Sequence, residues 1–258
     1  MKRLWKILAC IVFLLCVSNV SAQKLKGLAV YGGCNFAVGD YGSVLIQDER
    51  IVSWGMQDPS PLGGAGIGGN AGVEYSYPMP VENLQLSASL DFFINGLGRS
   101  LKSYYETLEV NFSYKYDKYD RTDQYFMNVP LMLGANYTLP VGLDAFDLRF
   151  EAACGINFRF ITNYYMYWNT FRHSYDSEEY REYYDNAVSF ACRMGVSMVF
   201  SNNLSFGVYY YGLGAASVKG DFEREVYHDS STPVNETRKF LNGKINPAMF
   251  VLRMGYHF

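Results

Sequence analysis

The sequence predicts an all-β fold: a transmembrane up-and-down antiparallel β-barrel of eight strands with long extracellular loops, a ten-stranded barrel being the alternative. Three observations predict it. The chain ends on a strand with one apolar face that runs to the last residue. Further segments of membrane length repeat that alternation. The connections between the segments are short and long in turn.

The C-terminal segment is the clearest. From the end, Phe258, Tyr256, Met254, Leu252 and Phe250 alternate with His257, Gly255, Arg253, Val251 and Met249. Successive side chains of a strand face opposite sides, so one face is greasy throughout and the other carries a charge. Barrels of outer membranes end on such a strand, because the last strand pairs with the first to close the wall. Tyr256 and Phe258 are therefore the expected assembly signal, read by the barrel-assembly machinery.

The other strands follow in chain order as Leu25–Val38, Ala65–Tyr77, Leu84–Asn95, Gln124–Tyr137, Asp147–Ile161, Ala187–Phe200 and Leu204–Ala216. Leu84–Asn95 alternates most cleanly, with Leu86, Leu90 and Ile94 against Gln85, Ser89 and Asp91. Each segment reaches the roughly 9–11 residues that a tilted spanning strand needs. Pro130, inside the fourth, cannot donate a ladder hydrogen bond and predicts a bulge or kink. The connections Tyr77–Leu84, Thr138–Phe146 and Ser201–Leu204 are short, whereas Asp40–Gly64, Gly96–Asp123, Thr162–Asn186 and Ser217–Lys244 are long. Tight turns on one side and long loops on the other are the barrel arrangement. One further alternating segment, Leu108–Asp117, reads as a hairpin arm that pairs with an extension of the fourth strand. Val44–Gln47 and Arg50–Trp54 read the same way in the first loop.

The first 22 residues read as a cleavable signal peptide, leaving 23–258 as one barrel domain. Lys2, Arg3 and Lys6 precede the apolar run Ile7–Val17, and Val20-Ser21-Ala22 is a small-residue cleavage site. Without those three cations, 19 basic residues face 25 acidic ones. A mildly acidic chain is a poor nucleic-acid binder. Cys34, Cys154 and Cys192 remain, an odd number at wide spacing and no disulfide framework. They read as small apolar residues on the lipid side. No metal-binding spacing or phosphate loop is present, so no cofactor or metal is expected.

Tyr125-Phe126-Met127-Asn128-Val129-Pro130-Leu131-Met132-Leu133-Gly134 resembles the Y-x-x-(I/V)-P-L-L-x strand of the PorT-like outer-membrane β-barrel family. Gly32-Gly33-Cys34-Asn35-Phe36 resembles that family's first strand. Tyr209–Gly214 and Leu252–Phe258 resemble its last two. The resemblance implies a barrel in the outer membrane of a Gram-negative bacterium. It carries over no activity, because the family is defined by its barrel.

The inward parity holds Glu74, Asp91, Arg149, Glu151, Arg159, Arg193 and Arg253. An eight-stranded barrel has room only for side chains, and buried charges must be paired. The expectation is an ion-pair network that plugs the lumen, with all but Arg159 toward the short-turn ends. The alternatives are a small Arg-lined channel or a rim-located hydrolase using His173 or His228 beside Asp176 and Asp229. A general base needs an orienting partner and a defined geometry, and loop sequences guarantee neither, so no catalytic residue is assigned. The third long loop is dense in aromatics. Tyr167, Trp168, Phe171, Tyr175 and Tyr180 form the expected contact patch for a protein or surface ligand, on an ordered extension of the fifth and sixth strands. Outer-membrane lipid is the other expected partner.

Overall fold

The protein is described by a computed structural model over residues 27–42, 65–98, 118–122, 124–142, 146–170, 176–201, 203–228 and 233–258. The expected signal segment 1–22, the arm Leu108–Asp117 and the first-loop segments 44–54 lie outside these residues. The strands in chain order are β1 (Leu28–Val38), β2 (Ala65–Pro78), β3 (Leu84–Leu97), β4 (Lys118–Arg121), β5 (Phe126–Leu139), β6 (Phe146–Ile161) and β7 (Tyr164–Thr170). They continue as β8 (Asp176–Tyr184), β9 (Ala187–Phe200), β10 (Leu204–Gly212), β11 (Ala216–His228), β12 (Pro233–Ile245) and β13 (Ala248–His257).

Eight of them close a barrel in the order β1-β13-β10-β9-β6-β5-β3-β2, antiparallel throughout. Closure is made by β13 on β1, in continuous register from Ala29↔His257 to Val38↔Ala248. The amide of Phe258 donates to the Leu28 carbonyl at 2.9 Å, so the final residue still belongs to the seam. The barrel has eight strands, not ten.

The alternation predicts the wall's two faces. Each of the eight strands turns a large apolar residue outward: Phe36, Ile67, Leu90, Leu133, Phe150, Phe190, Val208 and Met254 are 37–71% exposed. Inward residues of the same strands include Asp91, Met132, Glu151, Arg193, Tyr209 and Arg253, all buried. A water-soluble barrel would show the reverse, apolar within and polar without. Two of the short turns use asparagine at positive φ, Asn83 at 63° and Asn203 at 66°. Asparagine tolerates that backbone better than most residues.

Several boundaries differ from the sequence reading. β5 begins at Phe126 rather than Gln124. β10 ends at Gly212, because Gly214 takes φ 69° and the Leu213 amide turns to the Pro247 carbonyl at 2.8 Å. Pro130 makes no bulge: the β5–β6 register runs unbroken from Phe126↔Ile161 to Leu139↔Leu148. The β3–β5 pairing lapses between Leu90↔Leu131 and Phe93↔Asn128 but resumes in the same register. The missing N–H thus interrupts one ladder without shifting the strand.

The remaining strands form a second antiparallel sheet, β12-β11-β8-β7-β4. Each is joined by a short linker to a barrel strand: β4 leads into β5, β7 leaves β6, β8 leads into β9, β11 leaves β10 and β12 leads into β13. Residues 118–121, just ahead of the fourth barrel strand, pair with β7 beyond the fifth. The expected long loop Ser217–Lys244 is instead largely the hairpin β11–β12.

Candidate functional site: the charged interior

Six of the seven predicted interior charges meet toward the short-turn end of the barrel. Glu74 on β2 accepts from Arg149 on β6 and, at 2.7 Å, from Arg193 on β9. Arg193 also faces Glu151 at 3.3 Å and Asp91 at 3.7 Å, and Arg149 faces Glu151 at 3.6 Å. Hydroxyls and an amide donate to these carboxylates, while Glu151 Oε2 and the Nε atoms of Arg149, Arg193 and Arg253 have no hydrogen-bond partner among the described residues. Asn136 donates to Glu74 at 3.0 Å, and Ser197 and Tyr209 donate to Glu151 at 3.3 and 2.6 Å. Three carboxylates and three guanidiniums therefore share one buried layer, with Arg193 at its centre and 0% of its side chain exposed.

The register shows how such bulky groups fit. Tyr31, Gly72 and Asp91 stand in one row across β1, β2 and β3. A Cβ at Gly72 would meet the Tyr31 ring at 2.5 Å and Asp91 Oδ1 at 2.7 Å. Tyr209, Gly195 and Glu151 form a second row across β10, β9 and β6, and a Cβ at Gly195 would meet the Tyr209 ring at 2.2 Å. In both rows a tyrosine lies over a glycine and extends toward an acid on the next strand. The same two rings hold Arg253, whose guanidinium carbon is 3.3 Å from the Tyr31 centroid and 4.4 Å from that of Tyr209. Its Nη1 donates to the Tyr211 hydroxyl at 2.8 Å. Cation–π contact is strongest where water is excluded, so Arg253 is held chiefly by aromatics. The sequence reading missed these tyrosines. Their signal was the parity of Tyr209-Tyr210-Tyr211, which puts the first and third on the charged face.

Little space remains. The gap bounded by Tyr31, Glu74, Arg149, Tyr209, Arg253 and His257 measures about 10 Å³, about what a single water requires. His257 is half-buried with Nδ1 3.4 Å from Arg149 Nη1.

Arg159 stands apart, in the outer half of the barrel. That half is lined by amides rather than acids: Asn157 donates to Asn128 at 3.0 Å and Asn128 to the Tyr41 hydroxyl at 3.0 Å, while Asn95 donates to Asn35. Arg159 is 1% exposed and donates from Nη2 to the Gly214 carbonyl at 3.1 Å. Its Nε and Nη1 have no hydrogen-bond partner, and among the described residues no carboxylate pairs with it. A buried cation without a counter-charge lowers stability. Arg159→Met is therefore expected to leave the urea midpoint unchanged or to raise stability by about 1 kcal/mol. A loss as large as that from breaking an ion pair would show that Arg159 has a partner.

The loop patch divides. Phe171 and Tyr175 lie outside the described residues. The register puts Trp168 opposite both Tyr119 and Glu178, and Tyr180 opposite Met166 and Arg224. Tyr167 has the opposite parity along β7 and stands opposite Glu179 and Asp120. Tyr167 therefore does not share a sheet face with Trp168 and Tyr180. Tyr256 and Phe258 pack edge-to-face on the outer wall, with centroids 5.1 Å apart. His173 lies outside the described residues, and His228 ends β11. Among the described residues no group of three His, Cys, Asp or Glu side chains is placed to hold a metal ion.

No protein-family model and no curated protein matches the chain. Several solved structures are similar to it, among them the following two. One is a major outer membrane protein from Thermus thermophilus, 14% identical over 89% of this chain and 99% of that one, with a TM-score of 0.40. The other is Ail, the attachment invasion locus protein of Yersinia pestis, 13% identical over 91% of this chain and 100% of that one, with a TM-score of 0.37. Both likenesses are too distant to bear on function. The barrel assignment rests on the closed ladder.

Proposed function

We propose that this is an integral outer-membrane protein of a Gram-negative bacterium, with a shut lumen and a structural or binding role rather than transport or catalysis. The observation that carries the reading is the inverted wall, with apolar side chains outward on every strand and paired charges within. Such a wall is stable only where hydrocarbon surrounds it. The motif Tyr125–Gly134 falls at the start of β5, and with the first and last strands it supports placing the chain among PorT-like barrels. Outer-membrane lipid contacts the belt, and the assembly machinery reads the Tyr256 and Phe258 edge of β13. The second sheet offers its strands, with Tyr167 on one face and Trp168 and Tyr180 on the other, to a protein or surface ligand.

The test combines fractionation with conductance. The protein is expected in the outer-membrane fraction, migrating faster on gels unheated than boiled. Reconstituted in planar bilayers, it is expected to show no steady conductance. Recovery as a soluble protein would overturn the membrane reading, and a steady open state would overturn the shut lumen.

A further inference from the structure

The three cysteines of the described chain are not scattered. Cys154 on β6 and Cys192 on β9 stand directly opposite each other, within an unbroken register from Phe146↔Phe200 to Arg159↔Ala187. Opposed residues of antiparallel strands share a face, and both cysteines have the outward parity, Cys154 exposed and Cys192 partly so. Cα atoms of such a pair are about 4.5 or 5.5 Å apart, within the span of about 4.4–6.8 Å that a disulfide bridges. Cys34 is elsewhere, opposite Leu252 and Gly69. The odd count thus resolves into one facing pair and one single thiol.

We propose that Cys154 and Cys192 are a modification site, a cross-strand disulfide formed in the periplasm before the barrel enters the membrane. The proposal rests on the outer-membrane reading, which routes the chain through an oxidising compartment. Both groups are free thiols in this structure, and joining them needs side-chain rotation but no change of register. The timing follows from chemistry. Thiolate is the nucleophile in disulfide exchange, and a cysteine facing hydrocarbon at mid-wall is out of reach of a protein oxidant. In the periplasm, one cysteine thiolate attacks the disulfide of a thiol oxidoreductase, giving a mixed disulfide and releasing one oxidoreductase thiol. The second cysteine attacks its partner's sulfur in that mixed disulfide. The Cys154–Cys192 bond forms, and the oxidoreductase leaves as the dithiol with two electrons and two protons. The bond then encloses the β7–β8 hairpin in a covalent loop, pins the register of β6 on β9 and is shielded by lipid from reductants.

The test counts thiols on the mature protein, residues 23–258 without Cys10 and Cys16, taken from the outer-membrane fraction, acid-quenched and alkylated while denatured. The wild type should alkylate once without reductant, at Cys34, and three times after reduction. Cys154→Ser should alkylate twice under both conditions. Three alkylations of unreduced wild type would overturn the proposal. So would a single wild-type alkylation at a residue other than Cys34, or no alkylation of unreduced Cys154→Ser, since the bond would then lie elsewhere. Failure to reach the outer membrane, by contrast, shows in the fractionation step and counts against the location.

Discussion

Replacing Arg193 by Met is expected to destabilise the barrel by about 3–5 kcal/mol, the usual cost of breaking a buried ion pair. The size follows from what the substitution leaves behind. Glu74, Asp91 and Glu151 all face Arg193, and each is at most 6% exposed. Methionine keeps most of the volume but strands charge in a layer with room for about one water. Urea-driven unfolding in lipid vesicles would read the loss as a lower midpoint. Adding Glu74→Gln to Arg193→Met should recover part of it, because one of the stranded charges goes. A midpoint unchanged in Arg193→Met would mean that the charged layer contributes nothing to stability. The contrast with Arg159→Met, for which no loss is expected, separates paired from unpaired buried charge.

Leu133→Arg is expected to cost about 2–4 kcal/mol in a bilayer, as cations do at the midplane of a barrel's outer face. Leu133 sits near the middle of β5, outward and 69% exposed. On a water-soluble protein so exposed a substitution would stay within about 0.5 kcal/mol of neutral. The two environments therefore predict different numbers for one mutation. The same vesicle titration measures it, and a neutral result would place this face in water.

The eight barrel strands were legible because hydrocarbon outside and charge inside impose a period of two on nearly every residue. Leu84–Leu97 shows it most clearly, with Leu86, Leu90 and Ile94 outward and Ser87, Ser89 and Asp91 inward. The strands beyond the barrel were harder, because neither of their faces is steadily apolar. Lys219, Asp221, Glu223 and Glu225 alternate along β11, and with Gly220, Phe222 and Arg224 between them the stretch reads as loop. The aromatic density of residues 164–184 gave the β7–β8 hairpin a local signal, and β11–β12 had none. Within the site, parity and depth identified the charges and set Arg159 apart. The rows Tyr31–Gly72–Asp91 and Tyr209–Gly195–Glu151 were not legible. They depend on which residues of three strands come level, and that pairing is not written within any one strand.

The membrane-spanning wall is tested most directly by single spin labels along β5 of the protein in lipid vesicles, with Cys34, Cys154 and Cys192 replaced by Ala. Labels at Leu131 and Leu133 should relax strongly with oxygen and weakly with a water-soluble nickel chelate, while a label at the buried Met132 meets neither. A label at Val81 in the β2–β3 turn, 59% exposed, reports full access to water. If the nickel chelate reaches Leu131 and Leu133 as readily as Val81, the apolar belt faces water and the account is contradicted.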